Sequence, residues 1–190
     1  MRKFFAGCAL ACALLANALA APQAAQTSFA GTWALDKTKS AGLPQQWSNL
    51  ESLTLTVTQD AQQLTVESKA AMAQAQEATP GAAGGPGGGR GRGMGGGFPP
   101  SVTYKLDGTE TTAEATGGRG GTTTLKADWK DGGNTLALKR VSKFNFNGND
   151  VTATTTEDWS LSADGKTLTV KRTSESPRGT QHSTLVFSKK

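Results

Sequence analysis

The sequence predicts an all-β protein, an antiparallel up-and-down β-barrel of about 8–10 strands. Three observations support this. Apolar and polar residues alternate with a period of two through nearly the whole chain, as in Val151–Leu161 and Leu53–Thr58. Asx-Gly pairs recur between the alternating runs, at Asp107-Gly108, Asn147-Gly148 and Asp164-Gly165. No amphipathic helix pattern separates the strands, so consecutive hairpins form a meander, and a long meander curls to hide its edges. A β-sandwich is the rival. It needs a long crossing connection, which only residues 36–49 or the glycine-rich stretch can supply.

The chain opens with a targeting pattern. Met1-Arg2-Lys3 is a cationic start, Phe4 to Leu15 is mostly apolar, and Ala18-Leu19-Ala20 is a small-x-small cleavage site. Residues 1–20 are therefore expected to be a signal peptide, and the remainder periplasmic or secreted. Ala9-Leu10-Ala11-Cys12 is a looser match to a lipidation box. Both cysteines, Cys8 and Cys12, lie in this leader, so no disulfide is expected beyond it. Cleavage removes Arg2 and Lys3 from the 20 basic residues, and the remaining 18 face 15 acidic ones. That net charge of +3 is mild and does not suggest nucleic acid. No later run has the length and apolarity of a membrane span.

Residues 28–190 read as one domain. Phe29, Gly31, Trp33 and Leu35 share a face of the first strand. Residues 36–49 form a polar connection. Leu53, Leu55 and Val57 then pair with Leu64, Val66, Ser68 and Ala70 across a turn at Asp60. Residues 74–100 carry PGAAGGPGGGRGRGMGGGFPP, which offers little to bury and reads as a disordered insertion. Its two arginines have no interleaved aromatics, so a solvated loop is favoured over a nucleic-acid segment.

Val102, Tyr104 and Leu106 resume the pattern, and a turn at Asp107-Gly108 is expected to set Lys105 opposite Glu110. Thr111, Ala113 and Ala115 continue inward. Leu125, Ala127 and Trp129 mark the next strand. Leu136, Leu138, Arg140, Ser142, Phe144 and Phe146 follow on one face. A two-residue Asn147-Gly148 turn places Phe144 opposite Val151 and Arg140 opposite Thr155. A two-residue turn at Asp164-Gly165 sets Leu161 opposite Leu168, Trp159 opposite Val170 and Glu157 opposite Arg172.

This register brings Arg140, Glu157 and Arg172 onto the face of Trp159. Buried charges need partners, and one carboxylate faces two guanidinium groups. The excess cation suits an anionic ligand group such as a carboxylate. A structural ion cluster that pins register accounts for the same residues. Tyr104, Trp129, Trp159, Phe144, Trp33 and Phe146 supply an aromatic lining. The small inward residues Ala70, Ala113, Ala127, Ser142 and Ala153 leave either a cavity or a narrow, filled barrel. His182, the single histidine, faces outward beside Thr184, and no metal, cofactor or catalytic set is expected.

Gly31-Thr32-Trp33 at the start of an exported all-β chain resembles the opening G-x-W of the lipocalins. Phe29-Ala30-Gly31-Thr32-Trp33 is also similar to the first strand of fatty-acid-binding proteins. With Lys39-Ser40 and Trp159–Leu168, residues 28–190 resemble exported bacterial lipocalin-like proteins of the calycin group. The resemblance implies a Trp, here Trp33, that closes one barrel end under an Arg from a late strand, best matched by Arg172. It also implies binding of a small hydrophobic or amphipathic molecule without catalysis; separately, the chain's size suits a monomer. A structural or protein-interacting envelope barrel with a filled core is the alternative.

Overall fold

A computed structural model describes residues 26–73, 98–114, 121–146 and 148–190. Residues 1–20, most of 74–100, Ala115 and Asn147 lie outside the described residues, as does the Phe146 side chain. So does the content of the leader and glycine-rich readings.

Ten strands form a single antiparallel sheet: β1 (Gly31–Leu35), β2 (Leu50–Gln59), β3 (Gln63–Met72), β4 (Ser101–Lys105), β5 (Thr111–Glu114), β6 (Thr122–Lys130), β7 (Thr135–Phe146), β8 (Asn149–Leu161), β9 (Thr167–Ser176) and β10 (Gly179–Lys189). Their order is β4-β3-β2-β1-β10-β9-β8-β7-β6-β5. The first strand pairs with the last, Trp33 opposite Lys189 and Leu35 opposite Phe187. One sheet that meets itself through β1 and β10 is an up-and-down, nearly closed barrel, and it excludes the sandwich.

The alternation sorts the chain as its pattern requires. Leu53, Leu55, Val57, Leu64, Val66, Leu136, Leu138, Leu168, Val170, Leu185 and Phe187 are all buried. The β8–β9 register is the expected one, with Leu161, Trp159 and Glu157 opposite Leu168, Val170 and Arg172. The turn itself is longer than two residues. The Ser162 amide donates to Thr167 O and the Gly165 amide to Ser162 O, and this wider loop preserves the same pairing. Phe144 lies opposite Val151 and Arg140 opposite Thr155, also as expected.

One hairpin does not form. β4 pairs with β3 and β5 with β6, so these sequential strands are the two edges of the sheet. Lys105 does not oppose Glu110. The strands on either side of Asp107-Gly108 are drawn apart by their other partners: β4 ends at Lys105, opposite Gln63, and β5 begins at Thr111, opposite Leu125, while Asp107 Oδ1 accepts from the Thr109 amide (2.9 Å) and from its hydroxyl (2.6 Å). The incomplete pairing also leaves the Ala70 end of β3 and Ala113 of β5 exposed, against the expectation that both face inward.

The β1–β2 connection is tied to β10. The Asp36 amide donates to Val186 O, the Val186 amide to Ser40 Oγ (3.0 Å), and Ala41 bridges Thr184 in both directions. Gly42 follows at φ +65°, where a Cβ would lie 2.4 Å from His182 O, so glycine alone permits this approach. The chain then turns through Gln45–Trp47 and buries Trp47 against the core.

Four turn aspartates carry a pH dependence. The Thr38 hydroxyl, with Lys39, holds Asp36 down at about 2. Asp60 is lowered mainly by the Gln62 amide, Asp107 by the Thr109 hydroxyl and Asp164 by the Ser162 hydroxyl. A carboxylate lowered in the folded state stabilises the fold above its unfolded value, about 4, and that contribution disappears as protonation proceeds below it. Urea midpoints are expected to hold from neutral pH to about 5 and to fall between about pH 4 and 2. Asp36→Ala flattens part of that slope. A midpoint unchanged at pH 3 contradicts the assignment.

Candidate functional site: a charged rung inside the barrel

Three rungs of inward-facing residues cross β6 to β10. The lowest is Trp129, Leu136, Trp159, Val170 and Leu185; the next is Ala127, Leu138, Glu157, Arg172 and Ser183; the third is Leu125, Arg140, Thr155, Ser174 and Gln181. The lowest rung is mostly buried. Phe29 reaches it from the N-terminal approach, stacked on Trp129 (centroids 6.1 Å) and edge-on to Trp159 (6.0 Å). The third is only half-buried at Leu125, Arg140, Thr155 and Ser174. The charged middle rung therefore lies where the dry end of the barrel gives way to a wetter one.

Glu157 and Arg172 are buried at 8% and 3% exposure, rare for ionic side chains unless paired. Arg172 Nε lies 3.4 Å from Glu157 Oε1, and the Trp159 indole N–H donates to Glu157 Oε2 at 2.8 Å. Both carboxylate oxygens thus face donors. Burial lowers the Arg172 pKa from its ordinary value; Glu157 opposes that effect and Arg140 adds to it by repulsion. The Tyr104 phenol is pushed upward, first by burial and then by the negative charge of Glu157, so it remains a hydroxyl.

Val66, Val102, Tyr104, Leu138, Arg140, Thr155, Glu157 and Trp159 surround an interior space together with Phe98 and Pro99. Its cavity volume is about 10 Å³, about one water molecule. Of the sequence-predicted residues, Arg140, Glu157, Tyr104 and Trp159 line it, and Arg172 stands beside Glu157. Trp129 and Phe144 do not. Trp129 belongs to the Phe29 cluster, and its buried Nε1 has no hydrogen-bond partner among the described residues. Phe144 lies half-buried two rungs above Arg140.

The cation over the Trp33 ring is not the one that the resemblance implies. Trp33 is fully buried and donates from Nε1 to Phe29 O at 2.9 Å. The cation over its ring is Lys189, 5.4 Å from the centroid, whereas Arg172 faces Phe98. Arg172 is on β9, separated from β1 by β10, and its side chain is taken up by Glu157 and the Phe98 ring.

Phe98 was not foreseen. It sits at the end of the glycine-rich stretch, yet its ring lies 4.9 Å under the Arg172 guanidinium, 6.4 Å from Trp47 and 6.2 Å from Phe187. The available signal was a lone aromatic ahead of Pro99-Pro100 and a strand.

Among the described residues no group of three His, Cys, Asp or Glu is placed to hold a metal, and no helix is long and apolar enough to cross a membrane. A larger depression, about 310 Å³, is lined by Thr156, Lys171, Thr173, His182 and Thr184 and also touches Glu157 and Arg172. There His182 Nδ1 is 3.0 Å from Thr173 Oγ1.

No protein-family model matches the chain, and no curated protein matches it. Among solved structures, the chain is similar to the zebrafish ileal bile acid-binding protein crystallised with cholic acid. The two are 13% identical, with a TM-score of 0.46, over 85% of this chain and 98% of that one. A likeness this distant carries no statement about ligand.

Proposed function

We propose that this is an exported, non-catalytic barrel that binds a small hydrophobic or amphipathic molecule bearing an anionic group. The observation that carries the reading is the electrostatics of the middle rungs. Arg140 and Glu157 line the cavity, Arg172 lies against Glu157 beside it, and the two guanidinium groups repel one another, with Glu157 the one carboxylate lining the cavity among the described residues. A carboxylate or sulfonate between the two guanidinium groups relieves that repulsion, and the Tyr104 hydroxyl is a ready donor beside it. The half-buried third rung gives an apolar tail a path toward solvent.

The test compares a long-chain carboxylic acid with the corresponding alcohol. The acid is expected to bind about tenfold or more tightly, the scale of one charge-assisted hydrogen bond. Arg140→Met is expected to erase that preference while leaving the thermal midpoint nearly unchanged. Equal affinity for acid and alcohol in the parent protein rejects the reading. A second reading, a structural or protein-interacting envelope barrel, draws on the small interior cavity of about 10 Å³. It predicts no bound lipid in a native mass spectrum of protein purified from its host.

A further inference from the structure

The cavity is small because the chain itself fills the space next to the charged rung. The Phe98 ring lies against Trp47, Phe187 and the Arg172 guanidinium. It also lines the same cavity as Tyr104, Arg140 and Glu157. A flat ring under a guanidinium is a favourable cation–π contact, strengthened by desolvation.

The backbone that delivers this ring is lightly held. Pro99 and Pro100 have no N–H to give to a neighbouring strand. Ser68 Oγ donates to Pro99 O (2.8 Å) and to Phe98 O (3.4 Å), and the Ser68 amide donates to Pro100 O (2.9 Å). One serine therefore makes the bonds to all three carbonyls. The bond to Pro100 is continuous with the β3–β4 ladder, so release of the ring costs the one Ser68 hydroxyl bond, shared between Pro99 O and Phe98 O, together with the ring's contacts to Arg172, Trp47 and Phe187.

We propose that Phe98 is a built-in occupant of the ligand seat, and that an amphipathic anion binds by displacing its ring from Arg172. This rests on the ligand-binding reading above and adds to it: position 98 sets affinity, and the vacated place takes a flat ring or chain whose anionic end meets Arg172. The exchange is chemically reasonable. An arginine fork bonds a carboxylate in two directed contacts, whereas the ring face offers one diffuse attraction. Self-occupancy lowers the apparent affinity by the fraction of molecules whose seat is open.

The test is Phe98→Ala, with retained structure checked by circular dichroism and the thermal midpoint. Palmitate and 1-anilinonaphthalene-8-sulfonate are titrated against both proteins. Phe98→Ala is expected to bind each about tenfold more tightly or better, as removal of a self-occupant populated above about 90% requires. Equal, measurable affinity in both proteins overturns the self-occupancy and leaves the binding function standing. If neither protein binds either probe, the binding function falls, and thiol chemistry decides the placement of residue 98 alone. For that arm, Phe98→Cys is made in a chain with Cys8→Ser and Cys12→Ser. A thiol modified at least tenfold more slowly than in urea supports the seated position, and a rate equal to that in urea overturns it.

Discussion

Glu157→Leu is expected to lower the stability of the fold by about 3–5 kcal/mol, because it strands a guanidinium in the barrel wall. Arg172 is almost completely buried, and its Nε faces Glu157 Oε1 at 3.4 Å. The same substitution deprives the Trp159 indole N–H of its acceptor, which adds the cost of an unmet buried donor. The companion experiment separates the pair from its members. Glu157→Leu with Arg172→Met removes both charges of the pair and leaves apolar side chains between Leu138 and Ser183 on that rung. That double variant is expected to recover most of the loss, since replacing a whole buried ion pair with apolar residues is often neutral or stabilising. Urea unfolding of the three proteins gives the answer. A single variant that loses less than about 1 kcal/mol shows that water reaches Arg172, as an exposed pair of that kind is worth no more.

Trp33→Ala is expected to cost a further large sum, about 3–5 kcal/mol, seen as a fall of about 6–20 °C in the thermal midpoint. Trp33 is fully buried, and its strand is the one that closes the barrel, pairing with β2 on one side and β10 on the other. Truncation empties space that the β1 backbone cannot collapse into, because that backbone is bonded on both sides. Trp33→Phe keeps most of the ring and loses the bond from Nε1 to Phe29 O. Its expected cost is about 1–3 kcal/mol. A Trp33→Ala protein with an unchanged midpoint would mean that the barrel is not held at this end.

How much of this was readable in advance follows from the range over which each interaction acts. The Glu157–Arg172 pairing was legible, because a hairpin converts two sequence positions into one register as soon as its turn is placed. The same holds for Arg140 opposite Thr155 and for the burial of Trp159. The registers survived even where the turn at Ser162–Lys166 proved wider than two residues, since the wider loop is centred on the same pair. Short-range rules failed at Asp107-Gly108. The composition there suits a hairpin, but the flanking strands pair outward, to β3 and β6.

The amino-acid sequence by itself determined the strands, their faces and the neighbours that a tight turn enforces, because alternation and turn chemistry operate within a few residues. Only the tertiary structure decided that β1 meets β10, that β4 and β5 part, that Lys189 rather than Arg172 covers Trp33, and that Phe98 lies beneath Arg172. Those contacts join residues far apart in the chain. Which of them form depends on how the curvature of the whole sheet brings its ends and its connections together, and no local pattern encodes that.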